Sequence, residues 1–353
     1  MIVLGIESSC DETAAAVVRD GKQLLSNVVA SSMDLHAQYG GVIPEIAARS
    51  HIEAITPVIQ QALDDAQCTW DDIDAIAVTY GAGLLGSLLI GVLAARTLAL
   101  TKQKPLYAVN HVEGHLYVNF LTASALPAIT PRVAQPEFPI LGIIVSGGHS
   151  QLVLFRDHFD YTLLGQTHDD AIGEAFDKVA KIVGLPYPGG INVARKALEG
   201  DPRAFRLPKA RMSGKYDFSF SGLKTAVLRL AQEQVGADYS LSSTKLPGML
   251  SEAQKADIAA SFQRVACETI ADKALLAYEE FAPRSVIIGG GVAANLELRK
   301  QLGERLPCPV EYPDLKLCGD NGAMIAALGC FKAMLGATPV DPYTLEVNPS
   351  LSM

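Results

Sequence analysis

IVLGIESSCDETAAAVV, residues 2–18, reads as an apolar strand from Ile2 to Ser8, a polar knot of Ser9, Cys10, Asp11 and Glu12, and a second strand from Thr13 to Val18. Asp20 and Gly21 make the next turn, and Gln23 to Ala30 returns as a third strand. The same layout recurs at residues 140–155, ILGIIVSGGHSQLVLF, where an apolar strand meets Ser146, Gly147 and Gly148 and a second strand turns back. Between these stretches, Pro44 opens a helix on which Ile46, Ala47, Ile52, Ile55, Ile59 and Leu63 recur at helical spacing. Ile73–Tyr80 and Leu106–Asn110 read as strands, with an apolar helix between them and another starting near His111. In the second half, helices are expected over Ala171–Val183, Ser221–Val235 and Glu252–Phe281, then a strand over Ser285–Ile288 and a last helix after Gly322. Two α/β halves with glycine-rich turns at strand ends imply a cleft between them, where backbone N–H groups meet a ligand.

The domain limits follow from composition. LTASALPAITPRVAQPEFP, residues 121–139, carries four prolines and reads as a linker or surface loop. The expected division is a first α/β domain over 1–121, a linker over 122–139, a second α/β domain with a helical insertion over 140–335, and a tail over 336–353. A chain of 353 residues, 49% apolar and 19% charged, has room for two soluble domains at roughly 150 residues each. The net charge of −9 excludes a protein coated in nucleic acid but leaves room for a local basic stripe. Six cysteines without a C-x-x-C pair favour a reducing compartment. The N-terminus lacks a basic region and meets Glu7 too early for a signal peptide. Leu84–Leu100 holds Ser87, Gly91 and Arg96 and falls short of about 18 uninterrupted apolar residues, so it reads as a buried helix. A cytoplasmic protein with no membrane partner is expected.

Several groups can carry chemistry. His111-Val-Glu-Gly-His115 puts two imidazoles on one helical face, close enough to share a metal. Its glutamate stands third, whereas a zincin protease needs it second and an inverted zincin fourth, so the general base of those enzymes is missing. A third ligand must come from a distant carboxylate. Asp320, between Gly319 and Asn321, is the best candidate, and its other reading is a helix N-cap. Two histidines and one carboxylate with open positions suit iron or zinc acting on an oxygen ligand. Glycine runs at Val145–Gly148, Tyr187–Gly190 and Ile288–Gly291 can cradle phosphate oxygens, although none is a P-loop and none fits G-x-G-x-x-G. Asp11 and Glu12 can bind a metal, orient water or polarise an amine, or they form a solvated turn. Asp169, Asp170, Glu174 and Asp177 favour the positive end of the helix they start, with Asp177 set deeper as a partner for a ribose hydroxyl. Arg203, Arg206, Lys209, Arg211, Lys215 and Lys224 face only Asp217 and are interleaved with Phe205, Tyr216, Phe218 and Phe220. That mixture suits RNA, or else it is a basic surface loop over buried phenylalanines.

Together these segments resemble one family. ESSCDET, GGVIPEIAARSH (40–51), HVEGH, IVSGGHSQL, AFDKVAK with GLPYPGG, DFSFSGLKTAV, GGGVAAN and GDNGAMIA occur in the order seen in the tRNA threonylcarbamoyladenosine transferases, once described as O-sialoglycoprotein endopeptidases. The resemblance runs from Ile2 to about Gly329 and implies the actin-like fold of sugar kinases and heat-shock chaperone ATPases, two duplicated α/β domains around a nucleotide cleft. By the family pattern, His111, His115 and Asp320 hold one divalent ion, iron foremost and zinc the other choice. Ile144, Val145, Ser146, Gly147, Gly148, Asp177, Gly190 and Asn295 hold the substrate, threonylcarbamoyl-AMP. The implied reaction moves the threonylcarbamoyl group to the N6 amine of the adenosine next to the anticodon, in tRNAs that read codons beginning with A. Asp11 or Glu12 is the choice for handling the amine's proton. The implied partners are tRNA, an inactive paralogue of the same fold and a small P-loop ATPase, and the apolar face of the 44–66 helix is either a docking surface or buried in its own core. GGIN at 189–192, followed by Ala194, departs from the proline and acidic residue many members carry there, and the 121–139 loop is longer than usual. Two rival readings stand: a non-catalytic nucleotide-binding partner of the same fold, and a metalloprotease.

Overall fold

β1 (Ile2–Glu7) is an almost unbroken apolar run because both of its faces are covered, as in a central strand. In the computed structural model, which describes residues 1–353, it pairs antiparallel with β2 (Glu12–Arg19), and β2 pairs antiparallel with β3 (Gln23–Ser31). α1 (Met33–Ala37) and α2 (Pro44–Asp65) lead to β4 (Ala75–Gly81), which lies parallel to β1. α3 (Leu85–Lys102) crosses to β5 (Leu106–Asn110), followed by α4 (His111–Tyr117) and the short β6 (Ala123–Ser124). The sheet order is β5-β4-β1-β2-β3-β6.

β7 (Ile140–Val145), β8 (Ser150–Asp157) and β9 (Asp160–Gln166) repeat the meander. α5 (Ile172–Val183), α6 (Gly189–Ala197), α7 (Ser221–Gln234) and α8 (Glu252–Phe281) precede β10 (Ser285–Gly289), and α9 (Leu296–Arg305) connects it to β11 (Val310–Glu311). This sheet runs β11-β10-β7-β8-β9, the order of β5-β4-β1-β2-β3 in the first. The internal duplication read from residues 2–18 and 140–155 therefore extends to five strands of each sheet.

The domain limits differ from the expected ones. One compact unit is Met1–Pro136 together with Tyr312–Met353, and the other is Glu137–Glu311. Residues 312–335, expected in the second domain, belong to the first, and so does the 336–353 tail. α10 (Gly322–Met334) is the reason, because it packs on β1, β2 and β4. Side chains alternate across a strand. Leu4 and Ile6 of β1 accordingly enter the core with Ile55, Ile59 and Leu63 of α2 and Val92 and Ala95 of α3, whereas Gly5 faces α10. A Cβ on Gly5 would stand 2.3 Å from the Ala326 nitrogen and 2.6 Å from the Gly322 oxygen, and one on Gly329 would stand 2.3 Å from the Ala77 Cβ. Only bare backbone lets helix and sheet come this close. The tail then binds the same unit: Val340 N donates to Leu106 O, Asn348 N to Tyr80 O, and the Arg96 guanidinium to the carbonyls of Pro342, Tyr343 and Leu345.

Other expectations are corrected in the same way. α3 is long and apolar enough to cross a membrane, yet Ser87, Leu88, Gly91, Val92, Ala95 and Ala99 are buried while Leu85, Leu89, Leu93 and Leu100 are exposed, so it is covered on one face only. Ile52, set on the apolar face of α2 by periodicity, is 61% exposed, whereas Ile55, Ile59 and Leu63 of that face are in the core. The glycine pair at 189–190 opens a helix, α6, where a turn was expected. Asp169 serves α7 instead of α5: it accepts from the Ser219 and Ser221 hydroxyls and from Phe220 N at 2.8 Å. The 121–139 loop is anchored by hydrogen bonds from Thr122 N and Ala123 N to Lys22 O and from Thr130 N to Asp314 Oδ2.

Candidate metal centre and glycine turns

Asn110 ends β5 and caps α4 by accepting from Val112 N at 2.8 Å, which starts the helix at His111 and leaves all seven of its residues buried. α4 packs on α10, where the Ile325 side chain meets Gly114. Both imidazoles thereby face the start of α10. The cap of α10 is Asn321, which accepts from Met324 N at 3.1 Å, so the N-cap reading of Asp320 is not realised. The Asp320 carboxylate instead lies 3.6 Å from His111 Nε2 and 3.4 Å from His115 Nε2. The three ligand atoms lie within 4.8 Å of one another. Ligands each about 2.0–2.2 Å from one ion stand roughly 3–3.5 Å apart, which is close to the separations seen.

A residue the sequence reading passed over completes the cluster. Glu7, fully buried at the end of β1, accepts from His111 Nδ1 at 3.1 Å, from Ser9 N and from the Thr79 hydroxyl. Burial alone would raise its pKa, but the His111 charge and these hydrogen bonds outweigh it and hold the carboxyl at about 2. Burial works against a charged His111, yet Asp320 and Glu7 on either side carry its pKa up to about 9. Two carboxylates flanking one imidazole make a place that calls for positive charge. With Glu7 on Nδ1, the Nε2 side of the ring is turned to Asp320, the orientation a metal-binding histidine takes from a carboxylate behind it. The donor set of two imidazole nitrogens and one carboxylate fits a divalent first-row ion. The signal for Glu7 in the sequence was a lone acid closing an apolar strand.

Asp11 and Glu12 stand at the end of the same loop. Glu12 accepts from the Ser31 hydroxyl at 3.1 Å, and burial, then Asp320, then Asp11 push its pKa up to about 10.

The glycine turns belong to the second unit. β7 carries Ile144 and ends at Val145, and the turn after it is closed by Ser146 N donating to His149 O at 2.8 Å and His149 N to Ser146 Oγ at 3.0 Å. Gly147 and Gly148 are exposed, and a Cβ on either would meet nothing within 4 Å, so a ligand can come close to the backbone here. Gly290 at φ +97 passes beside the Val145 oxygen and closes the floor of this turn. Asp177 Oδ1 accepts from Gly189 N at 2.7 Å, and burial raises its pKa against that bond. It thus fixes the start of α6, and Gly190 beside it has open space. Asn295 is already engaged at both ends of its amide, capping α9 through Leu298 N at 3.1 Å and donating to Gln263 Oε1 at 2.9 Å.

The basic segment is only half available. Lys209 pairs with Asp272 at 2.6 Å, Lys215 with Glu280, and Lys224 with Asp170 at 3.3 Å, while Arg203, Arg206 and Arg211 make no ion pair. Tyr216, Phe218 and Phe220 are buried, so they are core residues and not stacking platforms.

Comparison with known proteins bears on this arrangement. Residues 23–327 match the family profile described as tRNA N6-adenosine threonylcarbamoyltransferase. A protein of that name from Thermomicrobium roseum is 50% identical over 343 residues, covering 95% of this chain and 93% of its own. Among solved structures, the HypF protein of T. kodakarensis superposes with a TM-score of 0.61 at 15% identity, covering 98% of this chain and 49% of that one. The ROK hexokinase of Thermus thermophilus does so with a TM-score of 0.50 at 17% identity, covering 95% and 100%. At such identities the likeness concerns the fold alone, that of the actin-like ATPases and sugar kinases.

Proposed function

Because the chain belongs to the tRNA N6-adenosine threonylcarbamoyltransferase family, we propose that it transfers a threonylcarbamoyl group from threonylcarbamoyl-AMP to the N6 amine of the adenosine next to the tRNA anticodon. It is a transferase that modifies tRNA. The observation that supports the reading most is the convergence of His111, His115 and Asp320 from distant parts of the chain, with Glu7 behind His111. A binding partner without chemistry has no use for such a cluster, and this chain lacks the glutamate that a zincin-type protease needs at the second or fourth position.

The adenine amine is a weak nucleophile because its lone pair is drawn into the ring. Transfer therefore needs a polarised carbamoyl carbon and a well-held amine. A divalent ion on His111, His115 and Asp320 would supply Lewis-acid polarisation of an oxygen ligand. Glu7 holds the His111 ring in the orientation this requires. The backbone N–H groups of Gly147 and Gly148 bind phosphate oxygens of the adenylate, and Asp177 with Gly190 receives its ribose. In the transfer a bond forms from the amine nitrogen to the carbamoyl carbon, the bond from that carbon to the phosphate oxygen breaks, AMP leaves, and the amine loses one proton. Asp11 or Glu12 accepts that proton.

The test is direct. Purified chain given threonylcarbamoyl-AMP and unmodified tRNA, with the paralogue and small P-loop ATPase that the resemblance implies, is expected to yield threonylcarbamoyladenosine in nucleoside mass spectra. Product levels equal to those without the chain would remove the assignment.

For the tRNA itself, Arg206 and Arg229 line a surface groove of about 520 Å³ with Ser221, Thr225 and Tyr239, and Arg229 stands 5.6 Å over the Tyr239 ring. Free arginines beside an exposed aromatic suit a nucleic-acid backbone and a stacked base. Charge reversal at Arg206 and Arg229 is expected to weaken tRNA binding and to lower the slope of log affinity against log salt by about 1 per arginine. Reversal of Lys209, already neutralised by Asp272, is expected to change binding less. Equal effects at all three positions would argue against the groove.

A further inference from the structure

The loop from Ser9 to Glu12 has every backbone carbonyl up to Asp11 occupied from outside. Leu84 N donates to Ser9 O at 2.7 Å. Cys10 O accepts twice, from His51 Nε2 at 3.0 Å and from Ser87 Oγ at 3.0 Å. Asp11 O also accepts twice, from Ser32 N and Ser32 Oγ, each at 2.9 Å. His51 on α2 and Ser87 on α3 are completely buried. The Thr13 hydroxyl meets His51 Nδ1 at 2.7 Å, so the ring is held on both nitrogens, and Ser8 Oγ donates to Ser87 O at 2.9 Å. Burying an imidazole and a hydroxyl on two separate helices is costly when volume alone is needed, since an apolar residue fills space without desolvation. Their partner is one carbonyl of an irregular loop, the residue before Asp11.

We infer that His51 and Ser87 are positioning residues, which fix the Cys10 carbonyl and thereby the placement of Asp11 and Glu12 for the transfer. The inference rests on the reading of Asp11 and Glu12 as the groups that handle the amine's proton. Reacting groups misplaced by about 1 Å lose roughly a hundredfold in rate, so a loop freed at Cys10 loses turnover before it loses substrate.

His51→Leu keeps most of the volume and removes both polar contacts. It is expected to lower kcat 10- to 100-fold, about the loss a 1 Å misplacement brings, with KM for tRNA and bound metal unchanged. His51→Gln, which offers an amide N–H at the reach of Nε2, is expected to recover most of kcat while melting no higher than the leucine variant. Ser87→Ala leaves the imidazole in place and is expected to lower kcat several-fold at an unchanged melting temperature. Wild-type kcat in His51→Leu, equal losses in the leucine and glutamine variants, or a loss that tracks bound metal would each overturn the inference. If the leucine variant does not fold, Ser87→Ala decides, and wild-type kcat there overturns it. Asp11→Asn and Glu12→Gln separate the two levels. Full turnover in both removes the reading and this inference with it, whereas lost turnover there beside wild-type kcat in His51→Leu removes the inference alone.

Discussion

Asp320→Ala is expected to leave the chain folded, to strip it of divalent metal and to lower turnover about a thousandfold. The fold survives because Asn321, not Asp320, caps α10, and because Asp320 is a half-buried carboxylate whose charge also weighs on Glu12. The metal goes because a third of its ligand set is removed and the two imidazoles that remain leave it short of donors. A Lewis acid contributes several kcal/mol to stabilising developing charge, and at about 1.4 kcal/mol per tenfold this is roughly three powers of ten. His111→Ala should match it. Glu7→Gln should do less: it keeps all three ligands and weakens the hold on the His111 ring, an effect of about 10–100-fold in metal affinity, with turnover restored at saturating metal. Metal analysis beside thermal melting checks all three. A fully loaded Asp320→Ala protein would show that the carboxylate is no ligand.

The second large effect is expected far from any ligand. Gly5→Val places a branched side chain where even a Cβ would lie 2.3 Å from backbone of α10. Backbone cannot swing aside as a flexible side chain can, so the helix must move off the sheet. Overpacking of this kind costs about 3 kcal/mol, and here it also displaces Asp320 at the helix start. Denaturant unfolding should show the loss of stability, and metal affinity should fall with it although neither histidine is touched. Wild-type stability in this variant would contradict the close approach of α10 to β1.

The parts of this arrangement visible in the sequence are those set by neighbours along the chain. The meander of residues 2–30 and its echo at 140–155 show through because alternation and turn residues are local, and α8 begins and ends where its helical pattern does. His111 and His115 are legible for the same reason, being one helical turn apart. Asp320 showed only through its glycine neighbours. Glu7 was missed because its partner lies 104 residues away, and the half-neutralised basic segment because Asp272 and Glu280 lie on α8, more than 60 residues on. α6 was missed because two glycines after a proline look like a turn until Asp177 takes up the Gly189 N–H. The first domain was closed too early because no local pattern tells a helix to return to a sheet begun 320 residues before.

That return has a consequence for how the protein is born. His111 and His115 leave the ribosome long before Asp320, and all of Glu137–Glu311 is translated between them. A nascent or prematurely stopped chain thus carries a pair of imidazoles with no opposing carboxylate, and the third proposed ligand arrives only when α10 has emerged and docked on β1. A divalent ion held by all three groups would therefore bind only after the whole inserted unit has been made.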